Sequence, residues 1–309
     1  MALKIDTVSH ACQLIAREIR DTYKNLTIQF IVHHEGQRME ALGLAAQDIM
    51  GHPAAETAMH ILQKPVESED SALLGMAVAD EKLFFGIATR ETLLAPCTIN
   101  LDQFDSLKEL KRYAYHLSWH AINMMEYHAN PANRTGSHTE VLIRKRSVLD
   151  LAYANLKADL FAALITAMHG DGSALNRMAQ IRSKNALVSR SLQKPEIFPY
   201  AIATDSALMA YQQLEERRPP KKKRVAAAKR AESEVAKAFD KKSVGHWLEF
   251  SEPAQEMAWR GYSKEEILSA AINTSQDTYI RATGYMVSEI TAIQPVSVLE
   301  INNSYSPFA

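Results

Sequence analysis

Apolar side chains recur at Ile5, Val8, Cys12, Ile15 and Ile19, with charged residues between them. That spacing predicts an amphipathic first helix. Leu26 to Val32, "LTIQFIV", is rich in β-branched and aromatic residues and too short for a helix, which predicts a strand. Two helical stretches are expected next, at Gln37 to Ile49 and Pro53 to Leu62, the second with proline at its first position. Asp80-Glu81 marks a turn between two strands, and Leu94 to Leu101 reads as a third. A long helix is then expected from Ser106, with Asp105 as its cap, down to the Pro-, Asn- and Gly-rich "ANPANRTGSH". Another runs from Ser147 to Met168 and stops at Gly170.

Beyond about Asp205 the pattern changes. "LEERRPPKKKRVAAAKRAESEVAKAFDKK" is dense in charge, poor in large apolar residues and broken by Pro219-Pro220, which predicts a linker leading into an alanine-rich helix. From Tyr211 to His246, eleven Lys and Arg stand against five acids, so the segment carries +6 and leaves −7 for the rest of a chain whose formal charge is −1. The tail predicts short capped helices: Gly261 ends one, and "SKEE" from Ser263 to Glu266 opens the next as a capping box. Tyr279, Ile280, Thr283, Met286, Val287 and Ile290 are the expected buried face of the last helix. No internal repeat or low-complexity tract is visible.

With 309 residues and 47% hydrophobic content, the chain can bury one substantial core and an appended smaller unit. Near-balanced charge argues against a nucleic-acid sponge or an acid-tailed solvating chain. Two cysteines, Cys12 and Cys97, are too few for a disulfide framework or a thiolate zinc site, which suits a reducing, cytoplasmic setting. The N-terminus lacks the pattern of a signal peptide, and no stretch approaches 18 uninterrupted apolar residues, so no membrane partner is expected.

Candidate chemistry centres on "YHLSWH", Tyr115 to His120. His116 and His120, with Asn123 and Tyr127, share a helical stripe, while Leu110, Tyr113, Leu117, Ala121 and Met124 lie about a quarter-turn round. Imidazoles at i and i+4 can aim their ring nitrogens at one tetrahedral ion. The plainer alternative is a hydrogen-bonded pair of interior or surface histidines.

The layout of helix, strand, helices, hairpin, histidine helix, loop and second helix resembles a zincin-type metallopeptidase over roughly residues 1 to 170. The zincin motif is H-E-x-x-H, followed on a second helix by E-x-x-A-D/N-x-F-A, and peptidases of the ImmA/IrrE type share it. Here the first motif reads HLSWH. The second, in "NLKADLFAALITAM", keeps Ala158, Asp159, Phe161, Ala162 and Ala163. The resemblance implies a bound Zn²⁺, a general-base glutamate and a glutamate ligand, but their positions hold Leu117 and Asn155. Glu126, ten residues after His116, replaces the lost ligand if the helix breaks near Asn123. Asp159 is the other candidate, although in zincins that acid more often orients a histidine. The metal-ligating candidates are therefore His116, His120, Glu126 and Asp159.

Other signals are weaker. His33 and His34 end the first strand, where adjacent side chains point to opposite faces, so a shared ion is not expected. "PPKKKRV" resembles a nuclear-import signal, and its plainer reading is a solvated linker. Arg260 to Thr283 faintly resembles a sigma-factor helix-turn-helix, but only Arg281 would serve as a base-reading cation.

The expectation is an α+β chain. A zincin-like domain with a small mixed sheet packed on helices spans residues 1–205, a basic linker and charged helix 206–245, and a small helical unit 246–309. Its expected role is non-catalytic binding of a protein or peptide. The alternatives are a zinc hydrolase using Glu126 or Asp159, and a nucleic-acid-associated regulator using residues 217–230 and the tail.

Overall fold

The computed structural model describes residues 3–37, 40–41, 44, 93–129, 148–187, 201–237, 241–296 and 308. The expected helix from Pro53 to Leu62, most of that from Gln37 to Ile49, and the Asp80-Glu81 turn lie outside them. The chain divides into two compact units, Met1–Arg146 with Pro220–Ala226, and Ser147–Pro219 with Ala227–Ala309.

In the first unit, α1 (Ile5–Thr22) buries Val8, Ala11, Cys12, Ile15 and Ile19, the face its periodicity predicts. Strands β1 (Leu26–His33) and β2 (Leu93–Asn100) pair in parallel, with Leu26 opposite Leu93 and His33 opposite Asn100. After a 3-10 turn at Leu101–Gln103 the chain enters α2 (Leu107–Ala129), which packs on α1 and both strands. The cap of α2 is Ser106 and not Asp105: the Ser106 hydroxyl accepts the Glu109 N–H at 3.2 Å. From Ala114 to Ile122 every side chain of α2 is buried. His116 and His120 of the expected polar stripe are thus interior together with Leu110, Leu117 and Ala121 of the apolar one, as in a helix at the centre of a core, while Asn123 is half-buried. Ser118 is accommodated there by donating its hydroxyl to the Ala114 carbonyl at 2.8 Å.

Every regular element described in the second unit is a helix. Its elements are α3 (Val148–Met168), α4 (Ala174–Ala186), α5 (Ala201–Arg217), α6 (Arg224–Lys237, from Ala227 onward), α7 (Lys241–Trp259), α8 (Lys264–Asn273) and α9 (Thr278–Thr291). α3 packs on α4, α5 and α7, and α9 packs on α4, α7 and α8. Phe250, Met257, Ile267, Leu268, Val287 and Phe308 share one core cluster. Gly170 at φ +98° and Gly261 at φ +91° follow their helices in the left-handed conformation that glycine tolerates best. Ser263 and Glu266 form the full reciprocal capping box.

Two expectations are corrected here. The expected alanine-rich helix is present as α6, but the linker before it is shorter than expected: α5 continues through Arg217, with Leu214 buried in its last turn, and residues 218–223 separate the two helices. On α9, Thr283 and Val287 are buried as expected and Ile280 packs on the core, but the fully buried face also takes in Gly284, Ser288 and Thr291, and Tyr279 is 61% exposed. Gly284 sets that rotation, since a Cβ there would stand 2.8 Å from Cγ1 of Ile272 on α8. The helices approach over the residue with no side chain.

The described residues are mostly helical with a two-stranded parallel sheet, within the broad α+β class. The hairpin that would make the sheet mixed was expected at residues outside those described.

Candidate functional site

Helix α2 holds His116 and His120 inside the first unit, 4% and 2% exposed. Their ring centroids lie 5.0 Å apart at 64°. Tyr113 stacks on His116 at 5.9 Å and 11°, Phe104 lies 5.2 Å from Tyr113, and Trp119 meets His120 edge-on at 5.2 Å. The imidazoles are therefore the middle of a run of five rings, a packing arrangement with its own stabilisation. The same spacing lets both rings reach one ion through nitrogens at about 2.0–2.1 Å. At the position of the zincin base, Leu117 is 1% exposed.

The carboxylates are placed differently. α2 runs unbroken through Asn123, and Glu126, exposed, stands six residues beyond His120, about 9 Å further along the helix axis. The break that would turn Glu126 back toward the imidazoles does not occur at Asn123. Asp159 belongs to the second unit, where α3 is buried on all sides from Ala158 to Ala167. It is fully buried, and its Oδ2 accepts from both Nε and Nη2 of Arg182 on α4 at 2.7 Å. This charge-assisted fork explains how a carboxylate survives in that interior. Asn155, one turn before Asp159, is half-buried. Among the described residues, no group of three or more His, Cys, Asp or Glu side chains is arranged to hold a metal ion.

Sequence reasoning missed a network at the carboxyl ends of the parallel strands. His33 is buried and donates Nδ1–H to the His34 carbonyl at 2.9 Å; exposed His34 donates Nδ1–H to Asp102 Oδ1 at 2.9 Å. The Glu35 N–H adds a bond to Asp102 Oδ2 at 2.8 Å, and this donor, followed by His34, holds the Asp102 carboxyl below the usual carboxylate range. The two histidines occupy different environments, as strand alternation predicts, but the strand end is tied rather than loose. Only the pairing register, which sets His33 opposite Asn100, brings Asp102 within reach.

The thiols are poor nucleophiles and ligands. Burial pushes both Cys12 and Cys97 up to about 12, with the neighbouring Cys12 adding to the shift at Cys97. No described helix is long and apolar enough to cross a membrane. No protein-family model, curated protein or solved structure matches the chain.

Proposed function

We propose that the chain is a metallopeptidase-like protein, zincin in ancestry, that no longer cleaves and acts in the cytoplasm by binding a protein or peptide partner. The observation that carries this reading is Leu117. A peptidase of this type needs a carboxylate there to take a proton from metal-bound water, and this chain has an apolar side chain that is 1% exposed. Removing a general base costs about 10²–10⁴-fold in rate. Asn155 at the ligand position adds a second loss, because a neutral amide does not offset the charge of Zn²⁺ as a carboxylate does. His116 and His120 persist in this reading as members of the ring run.

The 5.0 Å ring separation supports a second reading, a zinc hydrolase with a replaced third ligand. Of its two acids, Glu126 would need a break in α2, and Asp159 already serves Arg182.

The two readings separate when the full chain is incubated with a complex peptide mixture and both the retained and the free peptides are sequenced by mass spectrometry. The expected result is a retained subset of intact peptides with no new termini. New termini that vanish with a chelator, or a mixture neither retained nor cut, would overturn the proposal.

A further inference from the structure

Five cations stand within the seven-residue stretch from Arg217 to Lys223. Arg217, Arg218, Lys221, Lys222 and Lys223 are all exposed, and none forms an ion pair with any described residue. The neighbouring cations differ. Lys229 is bound to the buried Glu232 at 3.2 Å and Lys237 to Glu234 at 2.8 Å, which leaves these five as the densest run of exposed cations in the basic segment, with Arg230 exposed further along α6. Chain connectivity alone keeps these within about 25 Å, because seven residues extend at most about 3.6 Å each.

We infer that this stretch is a docking surface for the phosphodiester backbone of a nucleic acid, bound without regard to base sequence. Three observations favour that occupant. The stretch pairs its cations only with prolines, offering no exposed aromatic or large aliphatic side chain to insert into a lipid surface. Its second half is already folded: Lys221–Lys223 form a 3-10 turn that runs directly into α6, and Val225 is 1% exposed, so a receptor that reads a basic run as an extended strand would first have to unfold it. Finally, three lysines and Arg224 crowd the amino end of α6, where the helix dipole disfavours cations and favours anions. Phosphates laid across that end relieve the repulsion. The cations of the stretch lie at a helix end and in a 3-10 turn, not along a helix face that could enter the major groove and read base edges, so contacts fall on the backbone.

Five phosphate contacts predict a slope of about −4.5 for log K against log salt on duplex DNA, an affinity loss of about 500-fold between 50 and 200 mM salt. The test is fluorescence anisotropy of the full chain with a 30-base-pair duplex of arbitrary sequence across that range. The expected outcome is binding with that slope, unchanged when the duplex sequence is scrambled. Lys221→Gln, Lys222→Gln and Lys223→Gln together should reduce the slope to about −1.8 at unchanged thermal stability. No duplex binding at 50 mM salt, a slope that the triple variant leaves intact, or binding to phosphatidylserine vesicles in place of the duplex would overturn the inference. The slope of the unmodified chain decides the matter even if the variant folds poorly.

Discussion

Helices α2 and α3 are each buried on all sides over nine or ten residues, and each carries ionisable groups into that interior, but they solve the problem in different ways. α2 buries two imidazoles among aromatic rings, Tyr113 on one side and Trp119 on the other. α3 buries a carboxylate and requires a guanidinium from another helix to accompany it. An imidazole can be neutral at ordinary pH and pack as a ring, whereas an ionised carboxylate taken from water costs several kcal/mol unless paired. The first motif of the zincin resemblance is thus built from groups that double as packing, and the second from a group held by an ion pair. Neither arrangement calls for a metal ion to be stable.

The sharpest way to break this comparison is to remove the partner cation. Arg182→Ala should cost about 3–5 kcal/mol, read by chemical denaturation, because Asp159 is left charged with no exposure. Asp159→Asn should cost clearly less, since Arg182 is 22% exposed and can turn to water. Equal costs would mean that the pair does not explain the burial. A second prediction concerns the thiols near α1 and β2. Their folded values are raised above the ordinary 9.0 to about 12, so the stability they contribute is complete below pH 9 and is lost as the pH rises toward 12. At about 1.4 kcal/mol per unit, the loss in that window is on the order of a few kcal/mol for each thiol. Denaturation at stepped pH checks it, and Cys97→Val should flatten the alkaline limb.

What was legible in the sequence follows from the range of the interactions involved. Gly170, Gly261 and the Ser263-Glu266 box mark helix ends through contacts within a few residues, and all three function where the pattern placed them. Strand β2 and helix α3 were likewise found to within a residue or so. The cap of α2 went to Ser106 over its neighbour Asp105, a choice between two good capping residues that composition does not make. Long-range facts were hidden. Arg182 lies 23 residues from Asp159, and Asp102 lies 68 from His34. Nothing in either local pattern announces the partner. The face of α9 was legible in part: Thr283 and Val287 are buried and Ile280 packs on the core as expected, but periodicity counts apolar side chains and so missed Gly284, which has none and sits at the contact with α8. In the same way the histidines of the polar stripe on α2, His116 and His120, are enclosed by tertiary packing that the local pattern does not announce.

Smaller effects sharpen the contrast further. Ser263→Ala removes one half of a reciprocal cap and should cost about 1 kcal/mol by denaturation, with no effect on either motif helix. His120→Phe retains a planar ring between His116 and Trp119 and should cost only about 1–3 kcal/mol, the usual range for a modestly larger side chain in a packed interior. A much larger penalty would mean that the imidazole nitrogens, and not the ring, stabilise this helix.

The most direct measurement is elemental analysis of the chain purified without a histidine tag, beside its His116→Ala variant. If the imidazoles act as packing rings, zinc stays well below one equivalent per chain and does not change with the substitution. One tightly held equivalent in the unmodified chain, lost in His116→Ala, would contradict the account and mark the helix as a working metal centre.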